Sequence, residues 1–149
     1  MISKFKVLGD PMGKQRPRAS VINGFARVHN TKENIAYESY VIDRYLREIG
    51  EIRHTGCISL KINVFYGIEK KHFGKKGLNA EGKLKLEGKI FPTKKPDIDN
   101  IAKIIMDALN GVAYDDDKQV CVLEIRKFYT IELPYTEIII ESDGVSNGT

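Results

Sequence analysis

Residues 57–67, CISLKINVFYG, alternate between two kinds of side chain. Ile58, Leu60, Ile62, Val64 and Tyr66 point one way, while Ser59, Lys61 and Asn63 point the other. Successive side chains of a strand face opposite sides, so this run satisfies both sets only as a half-buried β-strand. Such a strand needs neighbours and a covering layer. The stretch that follows Pro96 supplies a cover. Ile101, Ile104, Ile105, Ala108 and Leu109 form one apolar stripe of a helix, and Asn110-Gly111 stops it.

The remaining elements follow from local signals. SKFKVLG reads as a short first strand, and VINGFARVH as a hairpin turning at Asn-Gly. Thr31 is suited to cap a helix over 32–49 that Gly50 ends. Tyr37, Tyr40, Val41, Tyr45 and Ile49 share a face of it, as core rather than as a base-stacking platform. KQVCVLEIRKFYT and YTEIIIE are two strands, expected to be antiparallel neighbours joined around Pro134. Residues 69–95 lack periodicity and read as a mobile, basic, substrate-contacting loop. Residues 142–149 read as a frayed tail. The class is α+β. One domain over residues 1–149 combines a small mixed or antiparallel sheet with two main helices.

Composition excludes several functions. No apolar stretch approaches the length of a signal peptide or a membrane span, so a cytoplasmic protein with no membrane partner is expected. Cys57 and Cys121 lie in alternating apolar segments and are expected to be buried thiols, not a disulfide. No Cys/His spacing suits zinc, and no Ser/His or Cys/His arrangement suggests a covalent intermediate, which leaves water as the nucleophile. The net charge of +4 hides an asymmetry: residues 1–30 carry +5, residues 69–95 carry +6, and residues 96–149 carry −7. Basic segments suit a polyanion, and the acidic one suits the cation used to process it.

Asp115, Asp116 and Asp117 are adjacent, and Asp97 and Asp99 flank Ile98 at the start of the second helix. Aspartate oxygens are the hard ligands preferred by Mg²⁺ or Mn²⁺. A short connection after the helix is expected to return the triplet to Asp97 and Asp99. Lys103, one turn beyond Asp99, is placed to offset charge on a phosphate or to orient water. The same residues also admit plainer roles: Asp97 or Asp99 as a helix cap, Asp99–Lys103–Asp107 as a surface ion-pair ladder, and the triplet as a solvated turn.

PDIDNIAKIIMDALNGVAYDDDKQV resembles the signature region of the RusA family of Holliday junction resolvases, small endodeoxyribonucleases common in phages and prophages. The family pattern is Asp-x-Asp-Asn opening a helix, a Lys four residues on, then Asp-Ala-Leu and an Asp-Asp-x-Gln-Val strand start. Asp97, Asp99, Asn100 and Lys103 match its beginning, Asp107-Ala108-Leu109 its middle, and Asp116, Asp117, Gln119 and Val120 its end. GKQRPR resembles a Lys-x-Arg-Pro-Arg segment of many members. The resemblance implies that Asp97, Asp99 and Asp117 bind Mg²⁺, with Asp116 an alternative because Asp115 lengthens the triplet. It also implies that Lys103 is essential, and that a homodimer makes paired nicks in a four-way DNA junction without a nucleotide cofactor. Lys14, Arg16, Arg18, Lys70, Lys71, Lys75 and Lys76 are the candidate DNA contacts. A metal-dependent nuclease on other branched DNA and a non-catalytic DNA-binding protein are the alternatives.

Overall fold

The computed structural model describes residues 1–15, 18–29 and 31–147. Strands β1 (Ile2–Leu8), β4 (Ile52–Gly67), β7 (Val120–Thr130) and β8 (Tyr135–Asn147) form a sheet in the order β1-β8-β4-β7. The β1–β8 and β8–β4 pairs are antiparallel and β4–β7 is parallel, so the sheet is mixed. Helices α1 (Lys32–Glu48) and α3 (Ile98–Leu109) cover one face. Val41 and Tyr45 of α1 and the Ile101/Ile104/Ile105/Leu109 stripe of α3 meet Ile58, Leu60, Ile62 and Val64 of β4 in the core. Each such fully buried side chain stabilises the fold by about 1.5–3 kcal/mol before entropy is counted. This is the α+β domain that the alternating strand and the striped helix require.

Local signals are realised where chemistry is local. Thr31 accepts a hydrogen bond from the Asn34 backbone N–H at 3.3 Å and caps α1. Strands β2 (Arg18–Ile22) and β3 (Phe25–His29) pair through a turn at Asn23 and Gly24, with φ of 53° and 81°. Asn-Gly is the pair best able to hold both residues in the left-handed region.

Four expectations are corrected. First, β7 and β8 are not neighbours: β4 lies between them and pairs with both. The chain leaves β4, crosses the sheet through α3 and returns as β7, and such a crossover makes its two strands parallel. Second, residues 142–147 are not frayed: Ile52 to Thr55 of β4 pair with Asn147 to Gly144 of β8. The Ile138–Ile140 run likewise supplies core, with Ile138 and Ile140 fully buried.

Third, Cys57 and Cys121 form a disulfide between β4 and β7, with Cα atoms 6.0 Å apart. Both are exposed, because each sits at a register shift where strand alternation fails.

Fourth, residues 69–95 are folded. They contain a short 3-10 turn, strands β5 (Phe73–Gly74) and β6 (Gly77–Leu78), and helix α2 (Ala80–Leu86), which Asn79 caps by accepting from the Gly82 N–H at 2.8 Å. The centre of this unit is polar, so it left no apolar period to read. The buried Lys85 ammonium donates to Glu69 Oε2 at 3.1 Å, lies 3.0 Å from His72 Nε2, and stands 4.9 Å from the Tyr129 ring centre.

Burial alone would raise the Glu69 carboxyl, but its own backbone N–H, Lys85 and Lys94 outweigh burial and hold it at about 2. A depressed carboxyl adds stability above its ordinary value of 4.5, and that stability is lost as pH falls towards about 2. Glu69→Gln should therefore lower the unfolding midpoint at neutral pH, with the gap to wild type closing across that acid window. Parallel urea titrations at both ends of the window measure it.

Candidate metal and DNA site

Helix α3 organises the acids. Asp97 occupies its N-cap position, yet the carboxylate makes no capping hydrogen bond. Asp99 lies in the first turn, and Lys103 is exposed one turn later. None of these three has an ion-pair partner among the described residues. The cap and ladder roles are therefore unfilled. The loop 11–15 is held against this end of the helix. The Lys14 N–H donates to Asn100 O at 2.9 Å, and buried Asn34 accepts from the Gln15 N–H at 2.8 Å and donates to Gly13 O at 3.2 Å. A Cβ on Gly13 would lie 2.8 Å from that of Pro96 and 3.0 Å from that of Asn100, so only glycine permits this approach. Between loop and helix runs an open groove of about 540 Å³, bordered by Pro11, Gln15, Lys95, Pro96, Asp97 and Asn100.

The second set of acids stands at the other end. Asp107 in the last turn of α3 receives the Lys14 ammonium at 3.1 Å, which also binds Glu38 at 2.6 Å. The triplet divides by task. Asp115 pairs with Arg53 at 2.9 Å. Asp116 caps the 3-10 turn at Asp117–Gln119, accepting from the Lys118 N–H at 3.0 Å while the Gln119 side chain accepts from its own N–H at 3.0 Å. That backbone bond keeps the Asp116 carboxyl low. Asp117 is fixed by its N–H to Asn110 Oδ1 at 3.1 Å. Burial, followed by hydrogen bonding and charge from Asp116 and the charge of Asp107, pushes its carboxyl up. A helix C-terminus carries partial negative charge, and the last turn of α3 contains no basic residue. Negative charge is therefore concentrated at this end, offset at Asp107 by Lys14 and at Asp116 by the Lys118 N–H, and Asp117 has no such partner among the described residues.

The triplet does not return to Asp97 and Asp99, as the short connection had suggested. Residues 110–114 close on the C-terminal end of α3, with Tyr114 buried beneath and its hydroxyl donating to Met106 O at 2.9 Å. Twelve helical residues at about 1.5 Å each put about 18 Å between Asp97 and Asp117. Among the described residues of one chain, no three acids, histidines or cysteines stand close enough together to hold a metal ion. The donors fit a hard divalent cation in kind, but a single chain presents them as two separate halves.

The basic candidates also divide. Lys14 borders the groove, and its ammonium is held by the two carboxylates of Glu38 and Asp107. Lys70, Lys71, Lys75 and Lys76 are exposed around the β5–β6 turn. Arg16 lies outside the described residues, and of Arg18 only its backbone pairing with His29 is described. Asn34 and Glu38, which fix the loop 11–15, carried no signal in the sequence because their partners lie 19 or more residues away. Asp116→Ala should lower thermal stability by removing the cap. Asp117→Asn should leave it unchanged or raise it, because repulsion is relieved. Thermal unfolding of the two variants separates these roles.

The family model for Endodeoxyribonuclease RusA matches residues 9–141. The chain is also 34% identical over 137 residues to the uncharacterized protein YqaN of Bacillus subtilis (strain 168), covering 92% of this chain and 94% of that one. The match spans the groove, both ends of α3, and strands β4 and β7. This chain belongs to the RusA family of endodeoxyribonucleases, hydrolases that act on DNA.

Proposed function

We propose that the protein is a magnesium-dependent homodimer that resolves four-way DNA junctions by paired, symmetric nicks in recombination or repair. RusA nucleases are generally metal-dependent and act on branched junctions. In this reading Asp97, Asp99 and Asp117 are the magnesium ligands, with Asp116 beside them. Held by these carboxylates, magnesium would supply positive charge at the scissile phosphate and lower the pKa of a bound water, so that its hydroxide could attack. Lys103 offsets charge developing on the phosphate, and exposed lysines of the β5–β6 unit attract the DNA.

The observation that carries the dimer is the division of the acids between the ends of α3. Two chains related by a two-fold axis, with their α3 helices antiparallel, would set Asp97 and Asp99 of one against Asp116 and Asp117 of its partner. Apolar surface lies where that contact needs it. Ile98 beside the first pair is 46% exposed, and Val122 and Leu123 just beyond the triplet are 55% and 46% exposed. Covering such surface is the usual driving force for an isologous pair. Two sites related by the axis also suit a junction that must be cut on two opposed strands.

Asp97→Asn, Asp99→Asn and Asp117→Asn should each abolish cleavage of a synthetic junction while sparing or improving its binding, since loss of an anion lowers repulsion by DNA. Cleavage surviving in Asp117→Asn but lost in Asp116→Asn would reassign the triplet. Lys103→Ala should slow turnover about a hundredfold or more with a smaller loss of affinity. Equal losses would make it a phosphate-gripping residue only.

A further inference from the structure

Beside the Asp97 groove lies a second pocket, of about 300 Å³, lined by Asp10, Pro11, Tyr66, Gly67, Lys94, Lys95 and Pro134. Pro11 and Lys95 border both, so this pocket adjoins the groove that Asp97 lines. Tyr66 is 5% exposed, and its buried hydroxyl has no hydrogen-bond partner among the described residues. Buried hydroxyls are ordinarily satisfied, so an unpaired one on a residue that lines a pocket points to a partner that arrives. Burial holds the Tyr66 hydroxyl at about 12, so it keeps its proton and donates. Two ammonium groups flank the ring: Lys94 Nζ at 5.5 Å and Lys127 Nζ at 5.6 Å from its centre.

Lys127 donates to Lys94 O at 2.8 Å and pairs with no carboxylate among the described residues. Lys94 lies 3.5 Å from Glu69, a carboxylate already bound by Lys85. Against these stands the exposed Asp10 on the rim. The pocket thus joins a neutral donor to two lining lysines, Lys94 and Lys95, with the Lys127 ammonium against the same tyrosine ring, beside the acids at the start of α3, a composition that suits a phosphodiester.

We propose that this pocket binds a non-scissile backbone phosphate of the DNA strand whose neighbouring phosphate enters the Asp97 groove, with the Tyr66 hydroxyl donating to it and Lys94, Lys95 and Lys127 supplying charge. The inference rests on the nuclease reading above and adds a strand-positioning site to it. The lysines of this site differ from those of the β5–β6 turn.

The test measures equilibrium binding of a synthetic four-way junction, without divalent cation, across a salt series. Tyr66→Phe should weaken binding about tenfold with its salt slope intact and its unfolding midpoint equal to or above wild type, because the change removes an unpaired buried hydroxyl. Lys94→Ala and Lys127→Ala should each make the slope of log affinity against log salt shallower by about one. Lys89→Ala, whose ammonium pairs with Glu87, should match wild type. Lys94 is half exposed, so Lys94→Ala carries the slope test should Lys127→Ala not fold. Wild-type affinity in Tyr66→Phe with wild-type slopes in both lysine variants, in a protein that binds and cuts the junction, would overturn the pocket alone. A wild-type protein that binds no DNA would overturn the functional reading with it.

Discussion

Everything in this fold depends on the burial of the α3 stripe against β4. Ile101, Ile104, Ile105 and Leu109 meet Ile58, Leu60 and Ile62 with almost no solvent left between them. The helix is therefore a rigid rod laid on the sheet, and its length is fixed at twelve residues. Because it also forms the crossover from β4 to the parallel strand β7, the residues just before and just after it are held apart at its two ends. Chemistry built from both sets of acids must be arranged around that separation. Gathering them within one chain would mean unpacking the core.

The electrostatics run in opposite senses at the two ends. At the N-terminus the helix dipole favours Asp97 and Asp99, and they cost the fold little. At the C-terminus it opposes Asp107, Asp116 and Asp117, and the chain answers only partly: Lys14 is drawn in to Asp107, Arg53 to Asp115, and backbone N–H groups to Asp116. Asp117 alone is left with a raised carboxyl and a fixed backbone. A fold selected for stability alone would have no use for it there.

Much of this was legible in the sequence because it depends on near neighbours. The β4 alternation, the α3 stripe, the Thr31 cap and the Asn23-Gly24 turn each report themselves within a few residues. The position of Asp97 at the start of a helix was equally readable, and so was the family motif. What could not be read depends on partners distant in the chain. The insertion of β4 between β7 and β8 follows from the α3 crossover, whereas the turn at Pro134 pointed to a hairpin. The 69–95 unit hid because Lys85, Glu69 and His72 replace an apolar core with a polar one. Lys14 looked like a DNA contact by its neighbours Arg16 and Arg18, and only the tertiary approach of Glu38 and Asp107 commits it elsewhere. Lys127 drew no attention in a strand, since its position beside Tyr66 is set by the parallel register with β4.

In the proposed dimer each cutting site takes acids from the opposite ends of α3 in two different chains. Mixing two inactive proteins tests it most directly. A heterodimer of Asp97→Asn with Asp117→Asn has one site in which both acids are intact, if sites are shared between chains, and none if each site belongs to a single chain. After co-expression and purification of the mixed dimer, the account predicts recovery of a single-strand nick in a four-way junction that neither homodimer can cut. A mixed dimer as inactive as its parents would contradict it.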